Sequence, residues 1–278
     1  MRGDDMREKI ESPANKKIKL VANLAKRKNR TAEGLFIAEG IRLSEMALNS
    51  NFAIEFALYT AKLLASERGQ KLLAVLDRKK INSYEVTENV YNKVSATTAP
   101  QGIMLIIKQK KYRLAELNDI KNPLYVILNN VQDPGNVGTI IRTADAVNAS
   151  AVILTTGTAD VYSDKTVRST MGSIFNLPIV ENVSDSEVLK FLQQNNIAAY
   201  ATALDSTAKP HFLQDFSTGT AIILGNEGQG IAGTLLENSI KTYIPMYGKA
   251  ESLNVGMSAA IVLYEVVRQR KFNQLSPK

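Results

Sequence analysis

The sequence predicts an α/β protein in two parts: a small α/β domain, then a parallel sheet covered by helices on both faces. Three observations predict it. Short Val/Ile/Leu-rich runs alternate with helical patterns along most of the chain. One polar, charge-rich stretch, residues 108–122, interrupts that alternation. The length of 278 residues also exceeds a typical single domain of about 150. The boundaries therefore read as a first domain at 1–107, a linker at 108–122 and a second domain at 123–278.

In chain order, the segment from Lys16 to Arg30 carries seven basic residues (Lys16, Lys17, Lys19, Lys26, Arg27, Lys28, Arg30) and no acidic one. Interleaved Ile18, Leu20, Val21 and Leu24 predict one helix with an apolar stripe and a basic opposite face. GLFIAEGIRLSEMAL predicts a short strand, a turn at Gly40 and a helix. IEFALYT reads as a strand, AKLLASERGQKLLAVLDR as one helix, INSYEV as a short strand, ENVYNKVS as a helix and GIMLIIK as a strand. Beyond the linker, LYVILNN, AVILTT, LPIVEN, IAAYATAL, TAIILGN and KTYIPM predict strands. Their continuous apolar character is that of a parallel sheet buried on both faces. VGTIIRTADAVN, SEVLKFLQQNN and SLNVGMSAAIVLYEVVRQR supply helices between and after them.

Lys and Arg number 34 against 27 Asp and Glu, a formal charge of +7 that favours polyanionic partners, nucleic acid first. The absence of Cys excludes disulfides, thiolate zinc sites, iron–sulfur clusters and a Cys nucleophile. A single His, His211, excludes multi-His metal sites. The amino terminus is charged and lacks an apolar core, and the longest apolar stretch, around Val255 to Val267, is too short for a membrane span. With no Cys, the expectation is a soluble cytoplasmic protein. GNEGQG spaces its glycines as GxxGxG instead of the dinucleotide-binding GxGxxG, and neither a GxxxxGK[ST] loop nor a GxSxG elbow occurs.

Chemistry-bearing residues gather in three segments where strands of the second domain end. In LNNVQDPGNVGTIIRTADA, Asp133-Pro134-Gly135-Asn136 is turn chemistry that opens a helix. Val137, Ile140, Ile141 and Ala144 mark its buried face, and Arg142 lies off that stripe, able to extend toward the Asn136 loop or to pair with Asp145 on the surface. In TAIILGNEGQGI, an apolar strand enters a loop in which Gly225, Gly228 and Gly230 let backbone amides approach a ligand and Glu227 supplies a carboxylate. In YIPMYGKAESLNVGMSAAIVLYEVV, Ser252 is positioned to cap a last helix that is apolar on nearly all sides.

Taken together and in this order, the segments resemble the SpoU (TrmH-type) RNA ribose methyltransferases of the SPOUT superfamily. The matching motifs are N-x-x-x-x-x-R at Asn136 to Arg142, LGxEGxG at Leu224 to Gly230, and IPM-x-G-x-x-x-SLNV at Ile244 to Val255. GLFIAEGIRL and TTAPQGIMLII make the first domain similar to that family's small, ribosomal-protein-like substrate-binding domain. The resemblance implies a deep trefoil knot around bound S-adenosylmethionine, held by Leu224, Gly225, Asn226, Gly228, Ile244, Met246, Ser252 and Leu253. It implies methylation of a ribose 2′-hydroxyl in structured RNA, with Arg142 acting on the hydroxyl or its phosphate. Asn136, Glu227, Ser252 and Asn254 would be the other polar site residues. It also implies a homodimer packed through the knotted region, a basic RNA-contacting stripe from Lys16 to Arg30, and no metal. Ribosomal RNA is the favoured substrate and transfer RNA the alternative, with a non-catalytic RNA-binding or assembly factor as the alternative class.

Overall fold

The computed structural model describes residues 9–118 and 120–272; the start of the charged amino-terminal stretch lies outside them. The chain forms two compact units, one of residues up to Lys110 together with Tyr162–Phe175, the other of Lys111–Val161 and the residues from Asn176 onward. The change of unit at Lys110–Lys111 falls within the stretch 108–122 read as a linker, and Tyr162–Phe175 is an excursion back into the first unit. Its residues pack in the first unit's core, where Phe36 stacks against Tyr162 (centroids 4.7 Å apart) and Phe52 meets Phe175 edge-on at 5.2 Å.

The first unit holds a five-stranded mixed sheet of β1 (Lys9–Ile10), β2 (Leu35–Glu39), β3 (Ile54–Tyr59), β4 (Ser83–Val86) and β5 (Ile103–Lys108), in the order β1-β4-β3-β5-β2. β5 runs antiparallel to both neighbours. The expected single helix between β3 and β4 is two, Ala61–Leu64 and Glu67–Arg78, because Ser66 accepts from Gly69 N and caps a new start. Glu39 ends β2 as a buried carboxylate that accepts from Ser95 Oγ (2.6 Å), Thr97 Oγ1 (3.1 Å) and Ala96 N (3.2 Å), fastening the loop that leads into β5.

The basic segment is likewise two helices, Lys16–Asn23 capped by Asn15 and Arg27–Glu33. Ile18, Val21 and Leu24 are buried as the apolar stripe requires. Arg30 departs from the expected exposed face: it is only 6% exposed, and its guanidinium donates to Leu24 O at 2.7 Å and Ala25 O at 2.8 Å. Carbonyls that end one helix are thereby satisfied by a side chain of the next.

In the second unit, β6 (Leu124–Leu128), β7 (Ala151–Thr155), β8 (Ile179–Val183), β9 (Ala198–Thr202), β10 (Lys209–Pro210), β11 (Thr220–Leu224) and β12 (Ile240–Tyr243) form one parallel sheet, ordered β10-β12-β9-β11-β6-β7-β8. β10, two residues at the edge, was not foreseen; Pro210 suits an edge, where no amide is needed for the ladder. All residues of β6, β7 and β11 are buried, as strands covered on both faces must be. The linker is partly core: a 3-10 turn at Leu114–Leu117 buries Leu117, whose carbonyl accepts from Tyr125 OH. Because the sheet is parallel, the carboxyl ends of β12, β9, β11 and β6 lie side by side on one edge. Among the described residues, no helix is long and apolar enough to cross a membrane.

Candidate active site

Three adjacent strand ends, those of β12, β9 and β11, surround a cavity of about 590 Å³. Its walls come from Thr202, Ala203 and Leu204 after β9, the Gly225–Ile231 loop after β11, and Tyr243, Ile244, Met246 and Ser252–Val255 after β12. Of the residues read from the sequence, Gly225, Asn226, Glu227, Ile244, Met246, Ser252, Leu253 and Asn254 line it. Leu224 and Gly228 do not: Leu224 is fully buried as the last residue of β11, and Gly228 is exposed. The β9 wall was missed because Ala203 and Leu204 carry no polar signal; it follows only from β9 lying between β11 and β12.

The glycine loop closes on itself. Asn226 and Gly230 exchange both backbone bonds, at 2.9 and 3.0 Å, with Gly230 at φ 72°. A Cβ on Gly225 would stand 2.5 Å from the Gly230 carbonyl carbon. Glycine at 225 is thus demanded by the loop's own closure, in addition to any ligand's approach. Asn226 Oδ1 accepts from Gly228 N and Gln229 N while its Nδ2 donates to Asn130 O, tying this loop to the end of β6.

The polar residues of the three motifs are joined by hydrogen bonds. Glu227 Oε1 accepts from Asn136 Nδ2 at 2.8 Å, and Asn136 Oδ1 accepts from Asn254 Nδ2 at 2.9 Å. Asn254 Oδ1 then accepts from Gly256 N and Met257 N, capping the Val255–Val267 helix. The expectation that Ser252 caps this helix is corrected: Asn254 does. An ionised carboxylate only accepts, and a helix start only donates, so the two amides between them can point one way only. Partial burial works to raise the Glu227 carboxyl. Donation from Asn136 Nδ2 and from the backbone N–H groups of Glu227, Gln132 and Asp133 outweighs it and holds the carboxyl below the ordinary range.

Asn136 is placed by the Pro134–Ala146 helix, whose Asp133 cap accepts from Asn136 N at 2.9 Å. Arg142, on the same helix, is exposed and, among the described residues, makes no hydrogen bond or ion pair. Its alternative partner Asp145 instead accepts from Asn176 Nδ2 at 2.8 Å. In the first unit, Lys16, Lys19, Lys26, Arg27 and Lys28 are exposed. Lys17 is half-buried and lays its ammonium over the Tyr84 ring, 4.3 Å from the centroid.

Comparison with known proteins places both parts of the chain. Residues 123–264 match the SpoU rRNA Methylase family, and residues 15–105 match the MRM3-like substrate binding domain. The chain is 36% identical over 258 residues to the Bacillus subtilis 23S rRNA (guanosine(2553)-2′-O)-methyltransferase RlmP, spanning 92% of this chain and 98% of that one. It is 31% identical to the 23S rRNA (uridine(2479)-2′-O)-methyltransferase of Streptomyces viridochromogenes, over 90% of this chain and 88% of that one. An AdoMet-bound rRNA methyltransferase from Sinorhizobium meliloti superposes with a TM-score of 0.85 at 30% identity, covering 94% of this chain and 97% of that one.

Proposed function

The chain belongs to the SpoU rRNA Methylase family, and from that premise we propose that it methylates a ribose 2′-hydroxyl of ribosomal RNA with S-adenosylmethionine. The observation that carries this reading is the Glu227–Asn136–Asn254 chain of hydrogen bonds at the mouth of the cavity. It holds one residue from each of three separate motifs in a single orientation. That the two relatives above, each named for 23S rRNA, align along nearly the whole chain, first unit included, favours ribosomal over transfer RNA.

The cavity suits the cofactor. Its volume of about 590 Å³ is that of a small-molecule site, with apolar Leu204, Ile244, Met246 and Leu253 facing backbone groups freed at strand ends. Gly225, Asn226, Ile244, Met246, Ser252 and Leu253 would hold it. Bound S-adenosylmethionine supplies an electrophilic methyl on a sulfonium.

The protein's part is to fix the hydroxyl in line and to stabilise negative charge as it develops. Among the described residues Arg142 makes no hydrogen bond or ion pair, which leaves it available for that task. A guanidinium essentially never deprotonates in proteins, so its role is donation to the hydroxyl or a clamp on the adjacent phosphate, not proton abstraction. Glu227 and Asn254 hold the Asn136 amide in one orientation. Exposed Lys26, Arg27 and Lys28 neutralise RNA phosphates from the first unit.

The homodimer and the trefoil knot belong to the same reading. Met257, Ile261 and Tyr264, at i, i+4 and i+7 of the last helix, are 59%, 38% and 55% exposed, an apolar stripe suited to a second copy. Action on ribosomal RNA would place the protein in the cytoplasm. The test is to map ribosomal 2′-O-methylation in a strain lacking the gene, complemented with wild type or Arg142→Lys. One methyl lost, restored by wild type and not by Arg142→Lys, is expected; an unchanged methylation map would refute the function.

A further inference from the structure

Under the Lys16–Asn23 helix, at the rim of the first unit's sheet, lies a cleft of about 470 Å³ that the catalytic geometry does not use. Its floor is aromatic: the half-buried Tyr84 ring meets the buried Phe56 ring edge-on, centroids 6.0 Å apart. The Lys17 ammonium sits over the Tyr84 ring, 4.3 Å from its centroid. Two carboxylates also border the cleft. Glu55 pairs with Lys108 at 3.2 Å, whereas Glu33 is exposed and, among the described residues, makes no hydrogen bond or ion pair.

We propose that this cleft binds one unstacked guanine of the RNA, its ring on Tyr84 and its Watson–Crick edge on Glu33. This rests on the RNA-methylating reading above. Proteins read single-stranded RNA by stacking splayed bases on aromatic rings and bonding their edges. Base–aromatic stacking outweighs an exposed cation–π contact, so Lys17 can leave the ring for a phosphate on its flexible stem. Guanine is the base with two adjacent donors, N1–H and N2–H, which suit a carboxylate that only accepts. The basic helix flanking the cleft provides the phosphate contacts that every base shares.

The test uses the full-length protein and fluorescein-labelled UUGUU and UUAUU oligoribonucleotides, followed by anisotropy. Wild type should bind UUGUU about tenfold more tightly. Glu33→Gln should abolish that preference while leaving UUAUU affinity unchanged. Tyr84→Leu should weaken both by about tenfold, and Tyr84→Phe should restore them. Melting curves separate loss of the ring from loss of the fold. No guanine preference in wild type, a preference that survives Glu33→Gln, or wild-type affinities in a folded Tyr84→Leu protein would each overturn the proposal. Failure of the function itself would appear instead as absent methyl transfer with these oligonucleotide affinities intact.

Discussion

Asn254 does two things at once, and substitution can separate them. Its Oδ1 caps the last helix through Gly256 N and Met257 N, while its Nδ2 holds Asn136. Asn254→Ala removes both. Loss of an N-cap costs about 1 kcal/mol, and loss of an exposed neutral hydrogen bond about 0.5–1 kcal/mol more. In a unit of this size, a total near 1–2 kcal/mol lowers the melting temperature by roughly 2–8 °C. Asn254→Asp keeps an acceptor at the helix start, where negative charge is favoured, so its melting temperature should stay within about 2 °C of wild type. It loses the donor, however, and sets a second carboxylate against the one amide nitrogen of Asn136. Methyl transfer should then fall by on the order of 10²-fold, with S-adenosylmethionine affinity near wild type. Thermal melting and single-turnover transfer on ribosomal RNA, measured side by side, check this. Asn254→Asp turning over normally would refute the relay, and Asn254→Ala melting like wild type would refute the cap.

Arg142→Ala should leave melting within about 0.5 kcal/mol of wild type, since the side chain is exposed and makes no hydrogen bond or ion pair among the described residues, yet lower single-turnover transfer by on the order of 10²-fold; Arg142→Lys should recover little of it. Reversing Lys26, Arg27 and Lys28 to Glu should weaken RNA binding and flatten its dependence on salt. Arg30→Ala should instead lower stability by about 1–3 kcal/mol, because two carbonyls lose their donor, a contrast that urea titration will expose. Glu227 has a folded pKa below its unfolded one, so its contribution to stability is complete above the ordinary carboxylate value of about 4.3 and is lost as pH falls through the depressed folded value. In Glu227→Gln that acid-side loss should disappear from the stability-against-pH curve. Gly225→Ala should destabilise the loop through its clash with Gly230, whereas Gly228→Ala, whose Cβ meets only Asn226 Oδ1 at 3.6 Å, should melt as wild type does.

Strands were legible wherever burial on both faces leaves an unbroken apolar run, as in β6, β7 and β11. The order in which they pair was not, because hydrophobic pattern records a strand's faces and says nothing of its neighbours. The β9 wall of the cavity was lost for that reason. Arg30 looked like its six basic companions, since a run of charge does not reveal which side chain turns inward to a carbonyl. Ser252 and Asn254 are both good caps by residue type, and only backbone geometry chose between them. The joining of Asn136, Glu227 and Asn254 could be anticipated as proximity from their motifs. The direction of each hydrogen bond required coordinates.

The excursion of Tyr162–Phe175 into the first unit bears on how the protein is made. During synthesis, the first unit remains incomplete until the ribosome has read past Phe175, well into the sequence of the second. Up to that moment Phe36 and Phe52 lack the rings that cover them in the finished protein. Cutting the gene after Lys110 would yield a fragment with that aromatic surface bare and prone to aggregation. The first unit therefore cannot be separated as an independent module by truncation at the linker. A gene fusion that borrowed it would have to carry the Tyr162–Phe175 segment as a graft.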